Sequence, residues 1–252
     1  MDGRATVLGC AIDRLDLEET VRRCAQLVES GGPAQHVVVN AAKLVLLRRD
    51  PGLRAIVERC ALVNADGQPI VWASRLLGDP LPERVTGIDL MERLLALAEE
   101  RGYRVFVLGA RAEVLERAVA RLRERHPRLE LCGYRDGYFR DEASALVCAE
   151  IRAARPHILL VAMPSPRKEQ WLARHLSELR VPFAMGVGGA VDVVAGMTRR
   201  APGWMQRAGL EWLFRLLQEP RRLARRYLAA NTRFLLLLAG ELLRVRLARR
   251  EA

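Results

Sequence analysis

Asp66 stands where a carboxylate could do chemistry. It follows the apolar run Ala61-Leu62-Val63, sits beside Gly67, and precedes an amphipathic, helix-like stretch from Gln68 to Gly78. In an α/β protein that is the carboxyl end of a strand, where side chains face a ligand crevice. A carboxylate held there can take the proton of an attacking hydroxyl as a general base. The plainer alternative is that Asp66 caps the helix after it. A second polar turn comes almost at once, Arg84-Val85-Thr86-Gly87-Ile88-Asp89. Thr86, Gly87 and Asp89 read either as ligand-edge groups or as a turn and helix start.

Further along, Gly186-Val187-Gly188-Gly189-Ala190-Val191 leads to Asp192. Gly188 and Gly189 would let a backbone approach a nucleotide closely, and Asp192 could then meet its base or ribose. The run is not a dinucleotide fingerprint, because Gly-x-Gly-x-x-Gly needs glycine at 191 and Val191 is there. No Asp-x-Asp occurs in the chain, so the usual carboxylate pair for a divalent ion on a nucleotide diphosphate is missing. Arginine, planar and permanently cationic, can carry a leaving diphosphate's charge instead.

These groups need elements to hold them. Short apolar runs at Val37-Val39, Ala61-Val63, Val105-Leu108, Ile158-Val161 and Phe183-Met185 alternate with helical periodicity at Leu17 to Glu29, Leu90 to Glu100, Ala112 to Arg125, Glu142 to Ala153 and Glu169 to Leu179. The alternation predicts an α/β fold with a mainly parallel sheet, Rossmann-like, covered by helices. Asn40, Asp66, Gly109, Pro164 and Gly186 fall at strand ends, along one expected ligand edge. Past Pro202 the pattern is helical only, with one amphipathic helix at Gly209 to Gln218 and a second opening at Pro220. Residues 1–198 thus read as an α/β body and 199–252 as a helical, Arg-rich appendage.

Charge is spread unevenly. From Arg199 onward there are thirteen arginines against four glutamates, which is most of the net +11 of the chain. A basic appendage on a near-neutral body points to an anionic partner at that end. The five cysteines are scattered, with no Cys-x-x-Cys, and the four histidines stand singly. Neither a disulfide framework nor a metal site is expected, and a reducing, cytoplasmic compartment fits. The first residues lack a signal-peptide pattern. The longest apolar run, Phe234 to Gly240, falls far short of the ~20 residues that span a bilayer.

The ordered set of segments resembles the WecG/TagA/CpsF glycosyltransferases (glycosyltransferase family 26). It comprises Ala65-Asp66-Gly67 through Gly78, Pro82 to Asp89, Gly133-Tyr134-Arg135-Asp136-Gly137-Tyr138-Phe139, Met163-Pro164-Ser165-Pro166-Arg167-Lys168-Glu169, Gly186 to Asp192, Arg199-Arg200-Ala201-Pro202, Gly209 to Leu213 and Glu219-Pro220-Arg221-Arg222. The resemblance implies an inverting, metal-independent enzyme without a cofactor. It would move a sugar, N-acetylmannosamine-type or glucose, from a UDP-sugar to a polyprenyl-diphosphate-linked saccharide in cell-surface polymer synthesis. By the same resemblance Asp66 is the base, and Arg215, Arg222 and Arg225 contact phosphates as the appendage closes over the site. Asn40, Gly67, Thr86, Gly87, Asp89, Gly109, Gly137, Tyr138, Pro164, Lys168, Glu169, Gly188, Gly189 and Asp192 would line the substrate pocket. The protein would work peripherally on the inner face of the cell membrane, against an anionic lipid surface, with a homo-oligomer left open.

Two departures stand out. Where family members often carry threonine just before the Asn-Ala element, this chain has Val38-Val39-Asn40, and in Pro166-Arg167-Lys168-Glu169 a lysine, Lys168, replaces the amide of the family's Gln-Glu pair. The rival readings are a nucleotide-cofactor oxidoreductase, which the failed glycine fingerprint disfavours, and a non-enzymatic basic module binding membrane or nucleic acid. An aromatic content of 5% leaves few stacking platforms for single strands, so no nucleic-acid partner is expected.

Overall fold

The computed structural model describes residues 3–251; in the last helix the side chains of residues 222, 223, 225–227, 246 and 248–251 are outside the described set. The chain opens with a hairpin, β1 (Arg4–Val7) and β2 (Cys10–Asp13), then α1 (Leu17–Glu29), β3 (Ala34–Val39), α2 (Ala41–Leu47) and α3 (Pro51–Glu58). It continues through β4 (Leu62–Ala65), α4 (Gln68–Leu76), α5 (Gly87–Arg101), β5 (Val105–Gly109), α6 (Ala112–Arg125) and β6 (Leu131–Arg135). There follow α7 (Ser144–Ala154), β7 (Ile158–Ala162), α8 (Arg167–Leu179), β8 (Phe183–Gly186) and α9 (Ala190–Val194). The described chain ends in helices only: α10 (Gly203–Arg207), α11 (Glu211–Gln218) and α12 (Pro220–Glu251).

Six strands form one parallel sheet in the order β4-β3-β8-β7-β5-β6. The central strands are buried along their whole length, which is why they read as unbroken apolar runs rather than alternating ones. Their side chains feed two sides. Val105, Val107, Ile158, Leu160, Phe183 and Met185 join the core under α1, α5, α6 and α9. Phe106, Leu108, Leu159, Val161 and Ala184 pack under α7 and α8.

The two edges of the sheet differ. Beyond β4 lies the hairpin, whose Asp13 Oδ2 accepts from the Val63 N–H at 2.7 Å, so β4 does not present a free ladder. The hairpin turns at Leu8 and Gly9, both at positive φ, as a two-residue turn of the right twist requires. Leu8 is buried in the core it shares with β1, β2, α2, α3 and α4, and that burial offsets its left-handed backbone. At the far edge β6 is only half-buried. Gly133 is demanded there, since a Cβ would lie 2.5 Å from the Phe106 ring.

α12 lies against α2 through Phe234 and Leu238, which enter the hairpin-side core. Leu228, Leu235, Leu236, Leu243 and Leu247 face outward and are exposed. Among the described residues no helix is long and apolar enough to cross a membrane.

Candidate active site

All six strands being parallel, their carboxyl ends share one edge, and Asn40, Asp66, Gly109, Pro164 and Gly186 are brought to it. Chain connections leave β5 toward β6 and β7 toward β8, in opposite directions across the sheet. That reversal opens the crevice in which doubly wound folds take ligands.

Asp66 follows β4 directly, its N–H donating to the Val39 carbonyl at 2.8 Å. The N-cap of the next helix, α4, is Gly67, which takes a φ of 126° and provides no side-chain cap. The capping alternative for Asp66 is therefore not what the structure shows. Burial pushes the Asp66 carboxyl above the usual carboxylate range and Glu211 adds to this, while Arg215, Lys43 and Lys168 pull it back. Arg215 and Glu211 belong to α11, while Lys43 belongs to α2 and Lys168 to α8.

Lys43 is a site residue that sequence reasoning missed. Asn40 caps α2, accepting from the Lys43 N–H at 3.0 Å, and the lysine side chain turns inward. Its Nζ donates to the Val38 carbonyl at 2.8 Å and pairs with Glu169 Oε1 at 2.7 Å. Burial alone would raise the Glu169 carboxyl, but Lys43 and Lys168 outweigh it and hold Glu169 below its ordinary value. Behind this pair His36 shares a hydrogen bond with Asn64, and Asn64 donates to Thr20. Burial brings His36 down to about 4, so the imidazole is neutral at physiological pH.

Thr86 is the N-cap of α5, and its hydroxyl also meets Asp89 Oδ2 at 2.6 Å. Asp89 is ion-paired with Arg200, which reaches Glu211 as well, at 3.5 Å. Arg84 meets Glu211 at 3.2 Å and donates to the Gln206 carbonyl at 2.9 Å. The turn and helix start thus anchor the helical segment to the body: Arg84 and Asp89 on one side, Arg200 and Glu211 on the other. Gly87 has only ordinary room, a Cβ there meeting Val38 at 3.7 Å.

The remaining predicted residues gather at the β5/β7 crevice and the end of β8. A Cβ on Gly109 would lie 2.6 Å from the Ala162 carbonyl oxygen, and one on Gly137 would lie 3.0 Å from Gly109 Cα. Close backbone approach accounts for both glycines. Tyr138 is exposed, with the Arg111 guanidinium 5.9 Å from its ring centre. Pro164 leads into α8, whose Lys168 and Glu169 are buried. Gly188 takes a φ of 52°, and Asp192 lies in the first turn of α9, its Oδ2 3.7 Å from where a Gly189 Cβ would sit. The Arg222 and Arg225 side chains lie outside the described residues.

Among the described residues one group could offer three metal ligands: Cys148 of α7 with His175 and Glu178 of α8, within 4.8 Å of one another. His175 Nδ1 and Glu178 already share a contact at 3.2 Å, and burial pushes the Cys148 thiol up to about 12.

The chain matches the Glycosyl transferase WecG/TagA/CpsF family over residues 5–248. It is also 34% identical, over 174 residues, to the N-acetylglucosaminyldiphosphoundecaprenol N-acetyl-beta-D-mannosaminyltransferase of Bacillus spizizenii, covering 69% of this chain and 67% of that relative. The Asp66 and Gly186–Asp192 segments, both at carboxyl ends of strands, fall inside the matched span. This chain belongs to the WecG/TagA/CpsF family of glycosyltransferases.

Proposed function

We propose that the enzyme transfers an N-acetylmannosamine-type sugar or glucose from a UDP-sugar to a polyprenyl-diphosphate-linked saccharide, with inversion and without a metal ion. The observation that carries this reading is Asp66, a carboxylate at the sheet's ligand edge flanked by cationic groups from body and appendage. Asp66 takes the acceptor hydroxyl's proton as that oxygen bonds to the anomeric carbon. The bond from that carbon to the diphosphate breaks, and UDP leaves with the electron pair. Arg215, with Arg222 and Arg225, receives the growing phosphate charge in place of a metal. The N-acetylmannosamine choice and a polyprenyl-diphosphate-linked acceptor are supported by the name of the Bacillus spizizenii relative, which carries both; glucose is not in that name.

UDP release with a panel of UDP-sugars and a polyprenyl-diphosphate-GlcNAc analogue tests this. Turnover is expected to need the acceptor and to survive EDTA. Loss in EDTA that magnesium restores would refute the metal-free chemistry, and a product of retained configuration would refute the single displacement.

The place of work we propose is the inner face of the cell membrane, peripherally. Supporting this, Trp204, Leu217 and the outward leucines of α12 are exposed beside the appendage's arginines, a combination suited to anionic lipid headgroups. Flotation with vesicles should show binding to phosphatidylglycerol-containing membranes that weakens as salt rises. Equal binding to neutral vesicles would rule out the arginines as its source.

A further inference from the structure

Between α7 and α8 three side chains of metal-binding type come together. Cys148 is buried on α7, His175 and Glu178 stand one turn apart on α8, and each offers a ligand atom within 4.8 Å of the other two. Cys148 precedes His175 by 27 residues, so no spacing in the sequence announces the set; only the packing of the two helices makes it. α8 runs back from the carboxyl end of β7 to the amino end of β8. At 1.5 Å per residue His175 lies about 9 Å along that helix from Glu169, on the side away from the ligand edge.

The imidazole is held in place for this. The Trp171 ring lies 5.2 Å from it, and the indole Nε1 donates to Ser144 Oγ of α7 at 3.2 Å. His175 Nδ1 meets Glu178 Oε2 at 3.2 Å, while Nε2 is buried with no hydrogen-bond partner. Tetrahedral zinc, with nitrogen and oxygen at about 2.0–2.1 Å and sulfur at about 2.3 Å, keeps its ligand atoms roughly 3.3–3.6 Å apart. The His175–Glu178 separation is already close to that, and the widest gap in the set must close by roughly 1 Å. One thiolate and one carboxylate match the charge of a divalent cation, and sulfur beside imidazole selects the zinc class over magnesium or calcium. We propose that Cys148, His175 and Glu178 bind a zinc-class divalent cation that staples α7 to α8, with water in the fourth position. The Cys148 thiol releases its proton to solvent as the sulfur–metal bond forms, with no change of oxidation state. The site is structural, and it stands apart from the transfer chemistry proposed at Asp66.

The full chain, dialysed against EDTA and then freed of it, is titrated with cobalt(II) under reducing conditions. One equivalent should bring up a sulfur-to-cobalt charge-transfer band with the strong visible bands of a tetrahedral site, and zinc should abolish both. Cobalt beside the Trp171–His175 pair should also quench indole fluorescence in step with the band. With zinc at a hundredfold excess over its Kd the Tm should rise by about 5 °C or more, and magnesium at the same concentration should not raise it. Cys148→Ala should lose the charge-transfer band and the zinc-dependent rise in Tm. Glu178→Gln changes a partly exposed side chain, which keeps the test open should the cysteine variant fail to fold. It should weaken cobalt binding by at least the roughly 10–100-fold that even an outer-shell partner is worth. No charge-transfer band at micromolar cobalt overturns the proposal, as does a band that survives in Cys148→Ala or binding left unchanged by Glu178→Gln. None of these readouts needs turnover, so an enzyme inactive on every sugar offered would refute the proposed reaction and leave this result standing.

Discussion

Asp66→Asn is expected to lower acceptor-dependent UDP release by about 10²–10⁴-fold, the usual worth of a positioned general base, while leaving the protein folded. Asparagine has the same shape and cannot take the acceptor's proton. The thermal effect should run the other way. Because burial raises the Asp66 carboxyl in the folded state, ionising it at neutral pH costs stability, and that cost declines as pH falls below the raised value and is gone below the ordinary carboxylate range. The neutral amide escapes the cost, so the variant should melt no lower than the wild type at neutral pH. By the same sign, wild-type kcat/KM should fall on acidification at a pH above the ordinary carboxylate range. A variant that keeps a tenth of its activity or more would remove Asp66 from the base's role. One that loses both activity and Tm would make it a structural carboxylate.

The position of Asp66 was legible because a buried parallel strand announces itself by an unbroken apolar run, and the residues just past such a run lie at the ligand edge. The same signal marks β3, β5, β7 and β8, and α1 and α6 fall on their predicted ranges. It fails for β6, half-buried and built around Gly133, whose glycine serves the Phe106 ring from another strand. It fails for the hairpin too, because its turn is Leu8-Gly9 rather than Asn-Gly. There a buried leucine does by packing what asparagine would do by intrinsic preference. At the site, the missed groups are those whose meaning lies far along the chain. Lys43 is a lone charge in the apolar stretch Ala41 to Leu47, a hint that it must find a partner. The partner, Glu169, can be named only once β3 and β8 are known to be neighbours. Arg84 and Arg200 had no such hint, because many arginines compete for Glu211 in sequence and only the fold selects two of them.

Arg215→Ala should produce two losses that pH separates. Arg215 is the foremost of the cations that counter the burial of Asp66, so without it the carboxyl titrates higher and the acid limb of kcat/KM moves up. At a pH where Asp66 is ionised in either protein that loss disappears, and what remains measures the stabilisation of the departing diphosphate. One preorganised donor to a developing anion is worth about 10²–10³-fold in kcat. Arg215→Lys distinguishes the two roles. An ammonium restores the charge near Asp66 and hence the acid limb, but it lacks the planar fork that binds phosphate through two parallel hydrogen bonds. The expected series is therefore an alanine variant impaired at all pH values and worst in acid, and a lysine variant with a wild-type limb and a reduced plateau. If alanine shifts the limb and leaves the plateau at its wild-type height, α11 acts on the base alone, and the diphosphate must be met by other groups. A lowered plateau with an unmoved limb would mean the reverse: Asp66 would then owe its charge balance to Lys43 and Lys168 within the body.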